Sequence, residues 1–533
     1  MRTRRRIRQW LAVVIGIPAV IAVTPVSPAE AAPPSLLPLN VTNNSGRSDA
    51  VFLYVLGVNL STGRLGYVNA AGTFTPWSGG TIPPSPAPDV SIAGPANGAT
   101  RTIQIPLNLS GRMYMSFGEK LRFFLTPDGL VQPAPWVPSD PNRNILFDWS
   151  EFTYNPSGLW LNSSQVDMFS VPHAVAVTNA AGATKQTGVL VSDGRNRILN
   201  ALRDQPGDWG RLVYTRADGT RLRAIAPRLG IEAGIFSPTY LDSYINQVWT
   251  TYQSTTLTVV PFQHDPNTRY FGRVSGTAMN FTNSSGAQVA SFQKPLTKDV
   301  FGCDGRLHAP NDLVVGPIAR SLCAAFHRST LGFIHTAPTY DPSQFYTRTI
   351  TDHYAKAMHA NAVDGKAYGF AFDDVGGFES LVHDADPRSA RVTLTPFGAG
   401  TPPPPPPPSR LEAENAAISQ GVVESNHAGY SGTGFVNYHN VVDSYVEWTV
   451  QAAQAGSKVL RFRYANGTTA NRPMDIRVNG ALVADDMAFT GTGAWSTWRT
   501  VSVTATLNAG PNRIRATATV TAGGPNVDYL ELA

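Results

Sequence analysis

The chain has 533 residues, too many for one ordinary domain, with only 15% of them charged and a formal net charge of +5. Its first 31 residues hold five Arg and one Glu, so the positive balance belongs mainly to that segment; the remainder is close to neutral and gives no basis for binding nucleic acid or anionic membranes. The 47 Gly, 42 Pro and two Cys suit an extracellular β-rich protein with many turns and exclude a cysteine-based zinc site.

In chain order, Arg2, Arg4, Arg5, Arg6 and Arg8 precede the uncharged stretch from Trp10 to Val23, and Ala29-Glu30-Ala31 places small residues where a signal peptidase reads. The apolar run is short for a membrane span, and Pro18, Pro25 and Pro28 interrupt the segment. Residues 1–31 therefore read as a signal peptide, and the mature protein is expected outside the cell and free of the membrane. Residues 32–397 form the next unit. Segments 50–60, 102–107, 121–125 and 145–154 read as strands, while 240–252, 314–326 and 342–360 carry helical patterns. Cys303 and Cys323 are expected to pair in an oxidising compartment.

The window from Trp136 to Pro172 gathers Asp140, Asp148, Glu151 and Asp167 among Trp136, Phe147, Trp149, Phe152, Tyr154 and Trp160. Aromatic faces stack on sugar rings and carboxylates do acid/base work, which is what a polysaccharide cleft needs. Strand alternation puts Ile145, Phe147 and Trp149 on the same face as Glu151, Thr153 and Asn155. An apolar run on its own side would raise the Glu151 carboxyl pKa and suit it to donate a proton. Asn155-Pro156-Ser157-Gly158 then separates this strand from the segment carrying Asp167, and a hairpin of the two would bring both carboxylates to one cleft. The bland alternative is that acidic residues at strand ends are solvated or cap turns. Asp373 and Asp374, after an apolar run and before Gly376-Gly377, are a second acidic pair, able to orient a sugar, bind a cation or cap a turn.

Residues 398–409 form a linker around seven prolines, 402–408, which favour extended polyproline II and hold flanking domains apart. In residues 410–533, Val446, Trp448 and Val450, then Leu460, Phe462 and Tyr464, then Ile476 and Val478 alternate as strands, and Asn479-Gly480 signals a hairpin. This pattern predicts a β-sandwich.

The stretch FDWSEFTYNPSGLWLNSSQVDMFSVP resembles the active-site region of glycoside hydrolase family 64, as do VFGCDGRL and YGFAFDDVGG. The resemblance implies a mainly β fold: a thaumatin-like β-barrel subdomain and a mixed α/β subdomain beside a wide groove, followed by a separate β-sandwich (jelly-roll) module. It implies a monomeric, inverting endo-β-1,3-glucanase that needs no cofactor for catalysis and releases mainly laminaripentaose. By the same resemblance Glu151 falls on the general acid, Asp167 on the general base, Thr153, Asn155 and Trp160 on the groove wall, and Asp140 and Asp373 near the cleft. The C-terminal set LEAEN, GYSGTGF, WSTW and NVDYLEL resembles carbohydrate-binding modules of families 6 and 35. That implies a structural calcium on Glu412, Glu414 and Asp528, and a sugar site with Trp495, Asn526 and Phe435, Tyr430 being an alternative wall residue. Two other readings stay open: a non-catalytic thaumatin-like glucan-binding protein, and a glycosidase or lyase acting on another polysaccharide.

Overall fold

The computed structural model describes residues 33–127, 129–398, 409–452, 455–508 and 510–532. The expected signal segment and the proline run at 402–408 lie outside the described residues. The chain divides into two compact units, the first made of residues up to 177 and from 185 to the proline run, the second of residues 178–184 and those after the run. No described helix is long and apolar enough to cross a membrane.

The first unit is built on two sheets. One has the strand order Leu381–Asp384, Gly158–Asn162, Leu146–Asn155, Leu109–Phe117, Val51–Asn59, Arg64–Val68, Phe74–Pro76, with Ile92–Ala93 also pairing Val51–Asn59. The other runs Thr184–Thr187, His173–Asn179, Pro387–Leu394, Leu36–Asn43, Thr100–Pro106. Leu39, Val41, Leu53, Met113, Phe152, Tyr154 and Val392 meet between them in one apolar core. The opposite face of the larger sheet carries a second cluster around Tyr54, Tyr114, Phe147, Trp149 and Met168. The strand Leu146–Asn155 thus alternates between two apolar environments, as its sequence predicts, and its last odd positions emerge from cover.

The hairpin differs from the expectation. Leu146–Asn155 turns back through Pro156 and Ser157 and pairs with Gly158–Asn162, Asn155 opposite Gly158. Gly158 has φ 115°, and a Cβ there would sit 2.1 Å from the Asp384 carbonyl oxygen of the next strand, so only glycine fits the corner. Asp167 therefore arrives on a chain that has left this sheet. Its successors Met168–Phe169 pair with Arg221–Ile225.

A mixed α/β subdomain follows. Helices Gly194–Arg203, Asp242–Ser254, Val315–His327 and His353–Ala360 accompany the sheet Gln288–Gln293, Ala278–Thr282, Tyr270–Ser275, Leu257–Val259, Thr336–Ala337. The apolar stripe Tyr244, Ile245, Val248, Trp249 and Tyr252 is buried in a core shared with Ile318, Leu322 and Phe326. The segment 342–360 is not one helix: only Pro342–Gln344 and His353–Ala360 are helical, the second capped by Asp352 through the amides of Tyr354 and Ala355. Cys303 and Cys323 form a disulfide with Cα atoms 5.6 Å apart.

The second unit is a β-sandwich. Gly421–Glu424, Phe435–Tyr438, Asn526–Leu532, Gly456–Ala465 and Arg499–Leu507 form one sheet, with Ser409–Glu412 on Asn526–Leu532. Ala417–Ser419, Tyr445–Ala452, Gly510–Ala518, Met474–Val478 and Ala481–Met487 form the other. Val446, Trp448, Val450, Leu460, Phe462, Tyr464, Ile476 and Val478 share its core. Asn479 and Gly480 adopt φ 52° and 86° between the paired residues Val478 and Ala481, as the turn chemistry requires.

Candidate active site

Cross-strand register arranges the open face of the larger sheet into rows. Tyr67, Leu56, Arg112, Glu151, Asn162 and Leu381 are successive cross-strand partners. The neighbouring row is Leu65, Val58, Ser110, Thr153, Trp160 and His383. Partners in a row project from the same face, so Glu151 and Thr153 stand beside each other above the sheet.

Arg112 organises the centre. Its Nη2 lies 2.8 Å from Glu151 Oε1 and 3.3 Å from Asp167 Oδ2, while Nε also donates to Glu151 Oε1 at 2.9 Å. Nη1 donates to Gln132 Oε1 at 3.1 Å, which also accepts from the Tyr114 hydroxyl at 2.7 Å. The guanidinium rests 4.6 Å from the Trp149 ring centroid. The side chains of Arg112, Glu151 and Asp167 keep 20%, 28% and 30% of their exposure, so all three meet solvent. The chain thus brings Glu151 and Asp167 together without the expected hairpin, by way of one cation. The apolar wall expected beside Glu151 is instead this guanidinium.

Asp148 ties the two carriers together from behind. Fully buried, it accepts at Oδ2 from the amides of Ser170 and Val171, at 2.7 and 2.9 Å, and at Oδ1 from Trp149 at 2.9 Å. It thereby clamps the chain that has just left Asp167 to the strand of Glu151. Burial raises its carboxyl to about 7, against the three amide donors and the Arg223 charge.

The remaining predicted residues separate. Thr153 bonds Ser110 through their hydroxyls at 2.8 Å, and Trp160 stacks on His383 with centroids 4.1 Å apart, both half-buried on the row beside Glu151. Asn155 lies at the strand's end and accepts from the Ser157 amide at 2.8 Å. Asp140 is spent on its own loop, accepting from the amides of Ala134 and Asn142, each at 2.7 Å. Asp373 is fully buried and presents nothing to a cleft: it accepts from Arg328 at 3.0 Å, His359 at 2.9 Å and the Gly369 amide at 2.9 Å. That corrects its expected place near substrate, since a paired buried carboxylate holds the fold. Asp374 and Glu379 differ. Burial raises them to about 6 and about 7, and Asp374 Oδ1 and Glu379 Oε2 are buried without a hydrogen-bond partner among the described residues. Tyr368 is pushed up by burial and then by the charges of Asp374, Glu151 and Glu379.

Sequence reasoning missed Arg112, Gln132, His383 and Glu379. The available signal for Arg112 was one cation at the centre of the otherwise uncharged strand Leu109–Phe117.

In the module, Trp495 and Tyr430 are half-buried, while Phe435 and Asn526 are buried and offer a sugar no surface. Phe435 packs beneath the wall, 5.8 Å from the rings of Tyr430 and His427 and 5.4 Å from Trp498. Trp495 lies against His427 at 6.3 Å and beneath Arg472 at 5.3 Å. Glu412 and Asp528 both bond Ser431, Glu414 accepts from the Thr433 amide at 2.7 Å, and Asp528 pairs with Arg463. Glu414 Oε2 is buried without a partner among the described residues, and Glu412 is raised by burial and by the charges of Glu414 and Asp528. A crowd of hard oxygen donors with one orphaned oxygen fits a calcium ion. Among the described residues the one group of three candidate ligands whose donor atoms all lie within 4.8 Å of one another is Cys303, Cys323 and His327, and it has both sulfurs in the disulfide.

The family described as beta-1,3-glucanase, glycoside hydrolase family 64, matches residues 35–394. The chain belongs to this family. A glucan endo-1,3-beta-glucosidase of Arthrobacter sp. (strain YCWD3) is 46% identical over 399 residues, 74% of this chain and 72% of that protein. The solved laminaripentaose-producing beta-1,3-glucanase in complex with laminaritetraose is 54% identical, covers 68% of this chain and 99% of its own, and superposes with a TM-score of 0.66. Residues 445–531 match a CBM13 domain described from alpha-galactosidase. A family 35 carbohydrate binding module from Clostridium thermocellum is 54% identical over 23% of this chain and 97% of its own, with a TM-score of 0.23. The protein is thus a glucan endo-1,3-β-glucosidase, a glycoside hydrolase that carries a C-terminal carbohydrate-binding module.

Proposed function

We propose that the protein is a secreted, inverting endo-β-1,3-glucanase in which Glu151 is the general acid and Asp167 the general base, with laminaripentaose as main product. The observation that carries this is the convergence of Glu151 and Asp167 on Arg112 beside a half-open row of Thr153 and Trp160. Glu151 donates its proton to the glycosidic oxygen, and the guanidinium at 2.8 Å holds the carboxylate that results. Asp167, on the longer 3.3 Å contact, leaves Arg112 as substrate enters and takes a proton from a water on the far face of the ring. An inverting pair works at about 6.5–9.5 Å, wide enough for that water. Thr153, Asn155 and Trp160 line the sugar path, and Asp374 with Glu379 forms its acidic flank. Glu412, Glu414 and Asp528 hold a structural calcium, which supplies charge neutralisation where the loop of Ser431 and Thr433 meets the strand ends. Trp495 and Tyr430 form the sugar platform of the module.

The test is product analysis of laminarin digests, with anomeric configuration read by NMR at early times. A dominant pentaose appearing first as the α-anomer supports substrate, product length and inversion, whereas initial β-anomer overturns inversion. Glu151→Gln and Asp167→Asn should each abolish turnover in a folded protein, and near-normal turnover in either removes that residue from its role.

A further inference from the structure

The row beside Glu151 does not end at the catalytic centre. From His383 and Trp160 it continues through Thr153, Ser110 and Val58 to Leu65, and every member except Ser110 is partly exposed. It is an open track that crosses six strands at right angles to them. At its far end Leu65 lines a depression of about 330 Å³ together with Arg64, Trp77, Gly79, Gly80 and Thr126. Trp77 is fixed there by its amide, which donates to the Leu65 carbonyl at 3.0 Å, and by Tyr67, whose ring centroid is 4.6 Å away. Trp77 Nε1 is buried without an acceptor among the described residues.

A continuous wall joins this depression to the chemistry. Phe124–Thr126 and Gly129–Val131 pair as a hairpin. Thr126 and Gly129 border the depression, and Gln132, the next residue after the hairpin, bonds Arg112 and Tyr114. Along the sheet, Tyr67 is three partners from Glu151, which is about 14 Å at about 4.8 Å per strand.

We propose that the Trp77 depression is the outermost glucan subsite on its side of Glu151, and that filling it sets the length of the oligosaccharide released. An indole face at the end of a track with half-exposed side chains supplies the apolar surface that a sugar ring stacks on. The fixed span from that ring to Glu151 then sets how many sugar units lie between the outermost bound ring and the bond that is cut. Trp77 is a specificity-determining residue here, remote from the reacting atoms. This inference rests on cleavage at Glu151 as proposed above.

Chromatography of products from a soluble β-1,3-glucan tests it. The wild-type protein should release one dominant length. Trp77→Ala should release a mixture, with KM for the polymer raised about tenfold and kcat within about threefold of wild type. Trp77→Phe keeps a ring and should restore the dominant length. A Trp77→Ala profile and KM equal to wild type overturn the inference, as does a broad wild-type mixture. Absence of any hydrolysis by the wild-type protein would instead overturn the functional reading. If circular dichroism shows Trp77→Ala unfolded, the inactive Glu151→Gln protein decides. Glucan should quench its tryptophan emission, and by clearly less once Trp77→Phe is added; an equal quench in both overturns the subsite.

Discussion

The groove of the glucanase and the loop end of its module are both sugar sites in prospect, yet their expected residues fared differently. On the groove, Glu151, Thr153 and Trp160 stand half-exposed on two adjoining rows, with Asp167 brought to the same guanidinium. In the module only Trp495 and Tyr430 keep surface, whereas Phe435 and Asn526 are buried. A strand fixes side-chain direction by its period of two, and register passes that direction to the neighbouring strand. A loop gives no such rule. Phe435 opens a strand and Asn526 opens another, so motif order located them while their side chains turned inward.

The largest effect expected from this contrast is at Arg112, since it unites two carboxylates that the chain delivers from different sheets. Arg112→Ala should lower kcat about 10²- to 10³-fold, the scale for losing a preorganised charge at a reacting centre. Arg112→Lys should recover only part, because an ammonium does not reproduce the forked contacts to Glu151 and Asp167. Steady-state kinetics on laminarin decide, and a fully active Arg112→Ala would make the groove no better organised than the module.

Much of this was legible in the sequence because it rests on period and turn chemistry. Strand Leu146–Asn155, the helix Asp242–Ser254, the disulfide and the Asn479-Gly480 hairpin all follow local rules. Arg112 was not, because its meaning comes from register with a strand that begins 34 residues later at Leu146, a partnership no local pattern encodes. Asp373 misled for the converse reason. A carboxylate after an apolar run looks the same whether it faces water or, as here, Arg328 and His359 in the interior.

The second effect probes the module. Phe435 is fully buried beneath Tyr430, His427 and Trp498, so Phe435→Ala should cost about 3–5 kcal/mol of module stability. Trp495→Ala, at a half-buried position, should change stability far less. Thermal unfolding followed by calorimetry separates them, and equal losses would mean that Trp495 is also a core residue.

A third effect lies behind the groove. Asp148 titrates near 7 in the folded protein because burial disfavours its charge, but near 3.9 once unfolded. The folded state therefore holds its proton to higher pH than the unfolded state. Its contribution is most favourable below about pH 4 and is lost as pH rises to about 7, a change on the order of 4 kcal/mol. Asp148→Asn has no proton to lose at this position. The stability of wild type relative to this variant should accordingly fall between about pH 4 and 7, measured as paired unfolding midpoints. A pH-independent difference would mean that the amide bonds from Ser170 and Val171 hold the carboxylate ionised throughout.

The smallest effect is the one that links the two regions. A module that holds an insoluble glucan raises the local concentration of chain ends and internal bonds at the groove, and a soluble substrate gains nothing from that. Trp495→Ala should lower the rate on particulate glucan several-fold while leaving the rate on soluble laminarin unchanged, because the groove carries its own contacts through Thr153 and Trp160. Deleting residues 402–533 should reproduce this selectivity with a larger loss on particles. Equal losses on both substrates would show that the module supports the catalytic unit itself, and the division into a site that cuts and a site that holds would not stand.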